Sequence, residues 1–249
     1  ISKELCAKEA LEQLLDNKRI AGLINIAEGG WNSEVIDQMI SVGYSRKEIK
    51  STIAQVNLPA VFKTLEGLLF PAQYSFAKGT SVADAISAMI ARSQIEFKKS
   101  GILDGSGKFD AQQLVIIASI VQAEGDTKDF DKVARVIYNR LAIDMPLQMD
   151  STVHFIKKVR GEIFLSRNST LLNSPYNTYR RYGLPPGAIC SPGTSAIEAT
   201  LKPAPGDWLY FITVDLNTQE TKFTNSYSEF LIYKDEFLAY CNANDGACW

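Results

Sequence analysis

The chain has 249 residues, with 26 basic and 28 acidic side chains and a formal net charge of -2, a balance that argues against nucleic acid as its partner. It is long enough to bury a large core as one extended domain or two compact ones, and no uninterrupted apolar stretch reaches transmembrane length. A single histidine, His154, and the four cysteines Cys6, Cys190, Cys241 and Cys248 form no metal-ligand spacing.

In chain order, Ser2 to Asn17 reads as a helix whose apolar face holds Leu5, Leu11, Leu14 and Leu15. A short extended segment from Gly22 to Ala27 leads into a turn at Glu28-Gly29-Gly30-Trp31-Asn32, and Val35, Ile36, Met39 and Ile40 then suggest a second helix. Ser45 is a candidate cap for another helix, with Glu48 at its N3 position completing a capping box. Leu65 to Pro71 interrupts the helices as an extended or turning segment. Helical spacing resumes from Asp84 to Ile95 through Ala85, Ala88, Met89 and Ala91, and Gly101 to Gly107 marks a boundary. A small α+β module is therefore expected to end there, and a second to begin near Lys108.

The second module opens on the most informative run. Leu114, Ile117, Val121 and Glu124 recur at spacings of three, four and three, which sets a carboxylate on the apolar face of a helix that Gly125 can end. Desolvation and the negative end of the helix dipole both favour the protonated acid, raising it from about 4.3 towards the range of a general acid. A cap, a salt-bridge partner or a rim residue is the competing reading of a helix-terminal glutamate.

Phe130 to Leu141 reads as the next helix, with Val133, Ile137 and Leu141 facing the core. From Pro146 to Pro192 the chain is rich in Pro, Ser, Thr, Asn and Tyr, and its recurring aromatic residues point to long ordered loops. There Gln148, Asp150 and Thr152 alternate, so they share one face if the segment is extended. Ser195 is expected to cap a short helix through Leu201 with Glu198 as N3 partner, and Trp208 to Val214 with Glu220 to Thr224 reads as a hairpin. Cys241 and Cys248 flank Asn-Asp-Gly, a turn that would let them pair as an extracytoplasmic disulfide; two free thiols are the alternative.

The order of several segments resembles that of the YceG-like family of endolytic murein transglycosylases. The resemblance rests on IAEGGW around Glu28, LEGLLFPAQYSF around Glu66, IIASIVQAEG around Glu124, KVARVIYNRL, MPLQMDSTVHF, SPYNTYRRYGLPPGAICSPG and SAIEATLKP, with DWLYFIT and KFTNSYSEF as a closing hairpin. It implies that Glu124 is the family's essential acid, with Gln122 in place of a neighbouring acid and Gly125 in place of the usual Thr. It also implies that Glu66, Asn139, Gln148, Asp150, Thr152, Tyr176, Asn177, Thr178 and Tyr179 bind substrate or support the site. Leu68 departs from the family's Tyr, and Ser151 from its Pro.

The fold class implied is α+β, with a partial LysM-like and connecting module over residues 1–107. A mixed helix and strand catalytic domain with long groove-forming loops follows over 108–240, and a cysteine-containing tail over 241–249. Family members carry a membrane anchor ahead of these parts, so the present chain is expected to be an ectodomain fragment from the extracytoplasmic face of a bacterial membrane. Peptidoglycan glycan strands and transient contact with cell-wall synthesis proteins are the partners implied, with no cofactor. In the family's reaction the acid protonates the bond between N-acetylmuramic acid and N-acetylglucosamine, and the muramic C6 hydroxyl closes a 1,6-anhydro end. A muramidase-type hydrolase and a noncatalytic peptidoglycan-binding scaffold are the alternatives.

Overall fold

The computed structural model describes residues 6–9, 11, 20–160, 164–244 and 248. The helix expected from Ser2 to Asn17 lies largely outside them. β1 (Ile20–Ile26) pairs antiparallel with β2 (Ala72–Ala77), Ile24 opposite Tyr74. Between these strands come α1 (Asn32–Ser41) and α2 (Arg46–Gln55), and after them α3 (Val82–Ser100). Ser81 caps α3 by accepting the Asp84 N–H at 3.1 Å, and Gly101 ends it in the left-handed conformation at φ 80° with Lys98 and Lys99 in the last turn.

α4 (Ala111–Glu124) is the central beam. Asp110 accepts the Gln113 N–H at 2.8 Å while the Gln113 side chain accepts the Asp110 N–H at 3.0 Å, the reciprocal pairing of a capping box. Leu114 to Val121 are all buried, so this helix needs cover on every side. Leu114, Val115 and Ala118 pack into a core formed with the β1–β2 sheet and α1 to α3. Ile116, Ile117, Ile120 and Val121 enter a second core with α5 (Phe130–Ala142) and α8 (Thr194–Leu201).

The long loop region between contains two short helices, α6 (Asp150–Lys157) and α7 (Arg167–Thr170). β3 (Tyr210–Asp215) and β4 (Glu220–Thr224) form the closing hairpin, with Phe211 opposite Phe223. α9 (Tyr227–Ala243) lies against that hairpin, and Cys241 is disulfide-bonded to Cys248 with Cα atoms 5.6 Å apart.

Several local expectations need correction. Ser45 precedes α2 in extended conformation but makes no side-chain capping bond. α8 starts one residue before Ser195, with Gly193 at the cap. A Cβ at Gly193 would lie 2.1 Å from the Glu28 carboxyl carbon, and its N–H donates to Gln122 Oε1 at 2.8 Å. β2 and α9 are regular elements that the sequence reading left unassigned, and α6 and α7 lie where it expected long loops.

Candidate active site

Glu124 is the last residue of α4, and at Gly125 the backbone turns extended. A Cβ at Gly125 would meet Val133 at 3.2 Å and Phe130 at 3.3 Å, so glycine lets α5 pack close behind the acid. Glu124 Oε1 accepts the backbone N–H of Ser151 at 2.9 Å, a donor in the first turn of α6. That contact favours the carboxylate, but burial outweighs it and the nearby Asp150 charge adds to the effect, so the acid is pushed up from 4.5 to about 7.

A cleft of about 380 Å³ opens beside this carboxyl group. Asp150, Tyr179 and Gln148 line one part, and Tyr210, Tyr227, Phe230 and Lys234 another. Tyr179 O–H donates to Asp150 Oδ1, which orients that carboxylate against the acid. Arg140 forms the floor: it is 6% exposed, Nε donates to Leu209 O at 2.6 Å, and Nη1 donates to Leu147 O.

The expectation that Gln148, Asp150 and Thr152 share one face of an extended segment is corrected by α6. Asp150 begins that helix, so the period of two ends there. Gln148, at φ 48°, is exposed in the cleft wall, whereas Thr152 is fully buried and donates to Met149 O at 2.6 Å. Thr178 is buried beside it, with hydroxyls 3.0 Å apart, and accepts the Met149 N–H at 2.9 Å. These two threonines fix the bend that presents Asp150 and Ser151 to Glu124.

The remaining candidates divide by place. Asn177 is 0% exposed and its amide donates to Thr170 O at 3.0 Å and Leu172 O at 2.8 Å, so it ties the loop to itself. Asn139 donates to Trp208 O at 2.9 Å and Gly206 O at 3.3 Å, joining α5 to the approach of β3. Tyr176 packs on Phe155 with ring centroids 5.2 Å apart, outside the residues lining the Glu124 cleft.

Glu66 is likewise absent from that lining. Its Oε1 accepts the Asn32 N–H at 2.9 Å at the start of α1, and burial pushes it up to about 7 against the opposing pull of Lys158 and Arg160. Arg160 in turn pairs with Glu34 at 2.7 Å and lies 3.9 Å from the Trp31 ring centroid. Backbone bonds tie this region to the loop before α8, Gly29 N–H donating to Ser191 O at 2.8 Å and Ser191 N–H to Gly30 O at 2.9 Å. A polar cavity of about 240 Å³ there includes His154, Gln122 and Ser151.

Arg140, Tyr210, Tyr227, Phe230 and Lys234 were absent from the sequence-based candidates. Arg140 carried the same signal as Glu124: with Val133 and Ile137 it falls at spacings of four and three on an apolar face. The others gain their place only when α9 folds over the hairpin. Among the described residues, no group of three or more His, Cys, Asp and Glu side chains is arranged to hold a metal ion.

A model of the YceG-like family matches residues 1–236. An endolytic murein transglycosylase from Bacillus subtilis is 35% identical over 212 residues, 83% of this chain and 58% of that relative. One from Streptococcus pneumoniae is 35% identical over 167 residues, 65% of this chain and 30% of the relative. The crystal structure of a YceG-like protein from Listeria monocytogenes matches with a TM-score of 0.73 at 28% identity, covering 90% of this chain and 80% of that one. The chain therefore spans 58% and 30% of the lengths of those two curated relatives.

Proposed function

The chain belongs to the YceG-like family, and on that premise we propose that it cleaves peptidoglycan glycan strands within their length, between N-acetylmuramic acid and N-acetylglucosamine. The observation that carries this reading is the partly buried Glu124 carboxyl, raised to about 7, beside an aromatic and polar cleft. Glu124 protonates the glycosidic oxygen, and positive charge develops at the muramic anomeric carbon as the bond breaks. The C6 hydroxyl of the same sugar attacks that carbon and its proton passes to the ionised Glu124, leaving a 1,6-anhydromuramic end. A tethered nucleophile removes the need for a second acid to activate water, and tethering itself supplies a large entropic advantage.

Residues 1–107 then serve as the partial LysM-like and connecting module, 108–240 as the catalytic domain, and 241–249 as the tail. No helix among the described residues is long and apolar enough to cross a membrane. We place the chain on the extracytoplasmic side, where the Cys241–Cys248 bond persists. Contact with cell-wall synthesis proteins and an anchor in the full-length protein belong to the same reading.

Because Glu124 must be protonated to act, kcat/KM is expected to fall as pH rises through about 7. A rate profile between pH 5 and 9 checks this, and a flat profile there counts against Glu124 as the acid. Asp150 favours a second reading, muramidase-type hydrolysis, since a second carboxylate beside the acid could activate water. Asp150→Asn separates the two. Under transglycosylation the variant keeps cleaving, and its alkaline limb moves to lower pH because a negative neighbour of Glu124 is gone; under hydrolysis cleavage is lost.

A further inference from the structure

We propose that the Glu124 cleft continues into a peptide-binding arm in which Lys234 receives a carboxylate of the stem peptide branching from the muramic sugar, an inference that rests on the function proposed above. A second cavity of about 420 Å³ shares Asp150, Tyr179, Ile212, Phe230 and Lys234 with the cleft beside Glu124. The shared residues set the two side by side, and in the proposed arm they join as one groove whose halves differ in chemistry. The near half holds the acids and tyrosines, whereas Leu165, Leu216, Phe237 and Leu238 line the far half.

α9 supplies the junction. Phe230, Lys234 and Phe237 follow at spacings of four and three, so one helical face presents a cation between two rings. Lys234 is exposed and makes no hydrogen bond or ion pair among the described residues. The cleft's other cation, Arg140, is buried and bonded to the Leu209 and Leu147 carbonyls. Phe237 and Cys241 pack together in the small terminal core, where the disulfide fixes the end of this wall.

A glycan chain without peptides offers an ammonium group only its lactyl carboxylates, held close to the sugar ring, and little to fill an apolar shelf. A stem peptide supplies both charge and apolar bulk, through its free carboxylates and short aliphatic side chains. It branches from the lactyl group of the same sugar whose glycosidic bond lies at Glu124, and the arm likewise begins beside Asp150, next to the acid. The continuity of the groove and the placement of its charge therefore match a glycan that still carries its peptides.

The test measures binding calorimetrically with the full chain carrying Glu124→Gln, so that turnover does not enter. Two probes are compared: uncrosslinked glycan strands bearing stem peptides, and the same strands stripped of peptide at the lactyl amide, with each freed lactyl carboxylate capped as its primary amide. Peptide-bearing strands are expected to bind roughly fivefold more tightly, the upper range for one exposed ion pair. Adding Lys234→Glu should close most of that gap, as should amidating the stem carboxylates in the absence of that change. Equal affinity for the two strands, or a gap that survives both changes, overturns the arm. If the gap appears and depends on Lys234 while the parental chain cleaves neither strand, the peptide arm stands and the proposed reaction fails.

Discussion

Glu124→Gln is expected to lower cleavage of purified glycan strands by roughly 10²- to 10⁴-fold, the usual contribution of a positioned acid–base group. Glutamine keeps the size of the side chain and an oxygen to accept the Ser151 N–H, so the α4–α6 junction should survive. Stability gives an independent check. With Glu124 raised from 4.5 to about 7, the native state holds a proton that the unfolded chain has released across that window, so this group weakens the fold as pH rises through it. The amide removes that loss. The variant should therefore match the parent in thermal stability near pH 5 and exceed it near pH 8. Near-parental cleavage by the folded variant would sink the assignment of the acid.

Arg140→Leu is the second large expectation. Leucine fills part of the buried stem's space but leaves the Leu147 and Leu209 carbonyls without their guanidinium donors. Orphaned buried acceptors at two sites should cost about 3 kcal/mol of stability, measured by denaturant unfolding. The guanidinium also opposes the rise in the Glu124 pKa, so its loss should move the alkaline limb of cleavage to higher pH. An unchanged unfolding midpoint together with an unmoved limb would show that Arg140 neither ties the loops nor faces the acid.

Much of the frame was legible because apolar spacing constrains helices strongly. The run into Glu124 marked both the central helix and the unusual acid at its end, and the boundary glycines near Gly101 stand where α3 stops. The hairpin of β3 and β4 was readable from its alternating aromatic and β-branched residues. α9 was harder: Leu231 and Ile232 are exposed while Phe237 is buried, so its apolar residues ring the helix and give no single stripe. β2 alternates properly, with Tyr74 and Phe76 on the core side, but it is only six residues long and follows a turn.

The site was partly legible for a related reason. Glu124 and Asp150 come together because α6 begins at Asp150, and the helix start is fixed by tertiary bonds from the Thr178 loop to Met149. Alternation in sequence suggested an extended segment there; those long-range bonds made a helix. The same bonds explain why Asn177 and Thr178 are buried supports while their neighbour Tyr179 reaches the cleft. Lys234 had no local signal, since an isolated lysine on a surface helix is ordinary until a groove is seen beneath it.

The most direct measurement is mass analysis of the ends released when the parental chain and Glu124→Gln are incubated with purified peptidoglycan strands. Internal cuts leaving 1,6-anhydromuramic ends are expected with the parental chain and essentially none with the variant. Reducing muramic ends from the parental chain, strand retention without any cut, or undiminished anhydro products from Glu124→Gln would contradict that expectation.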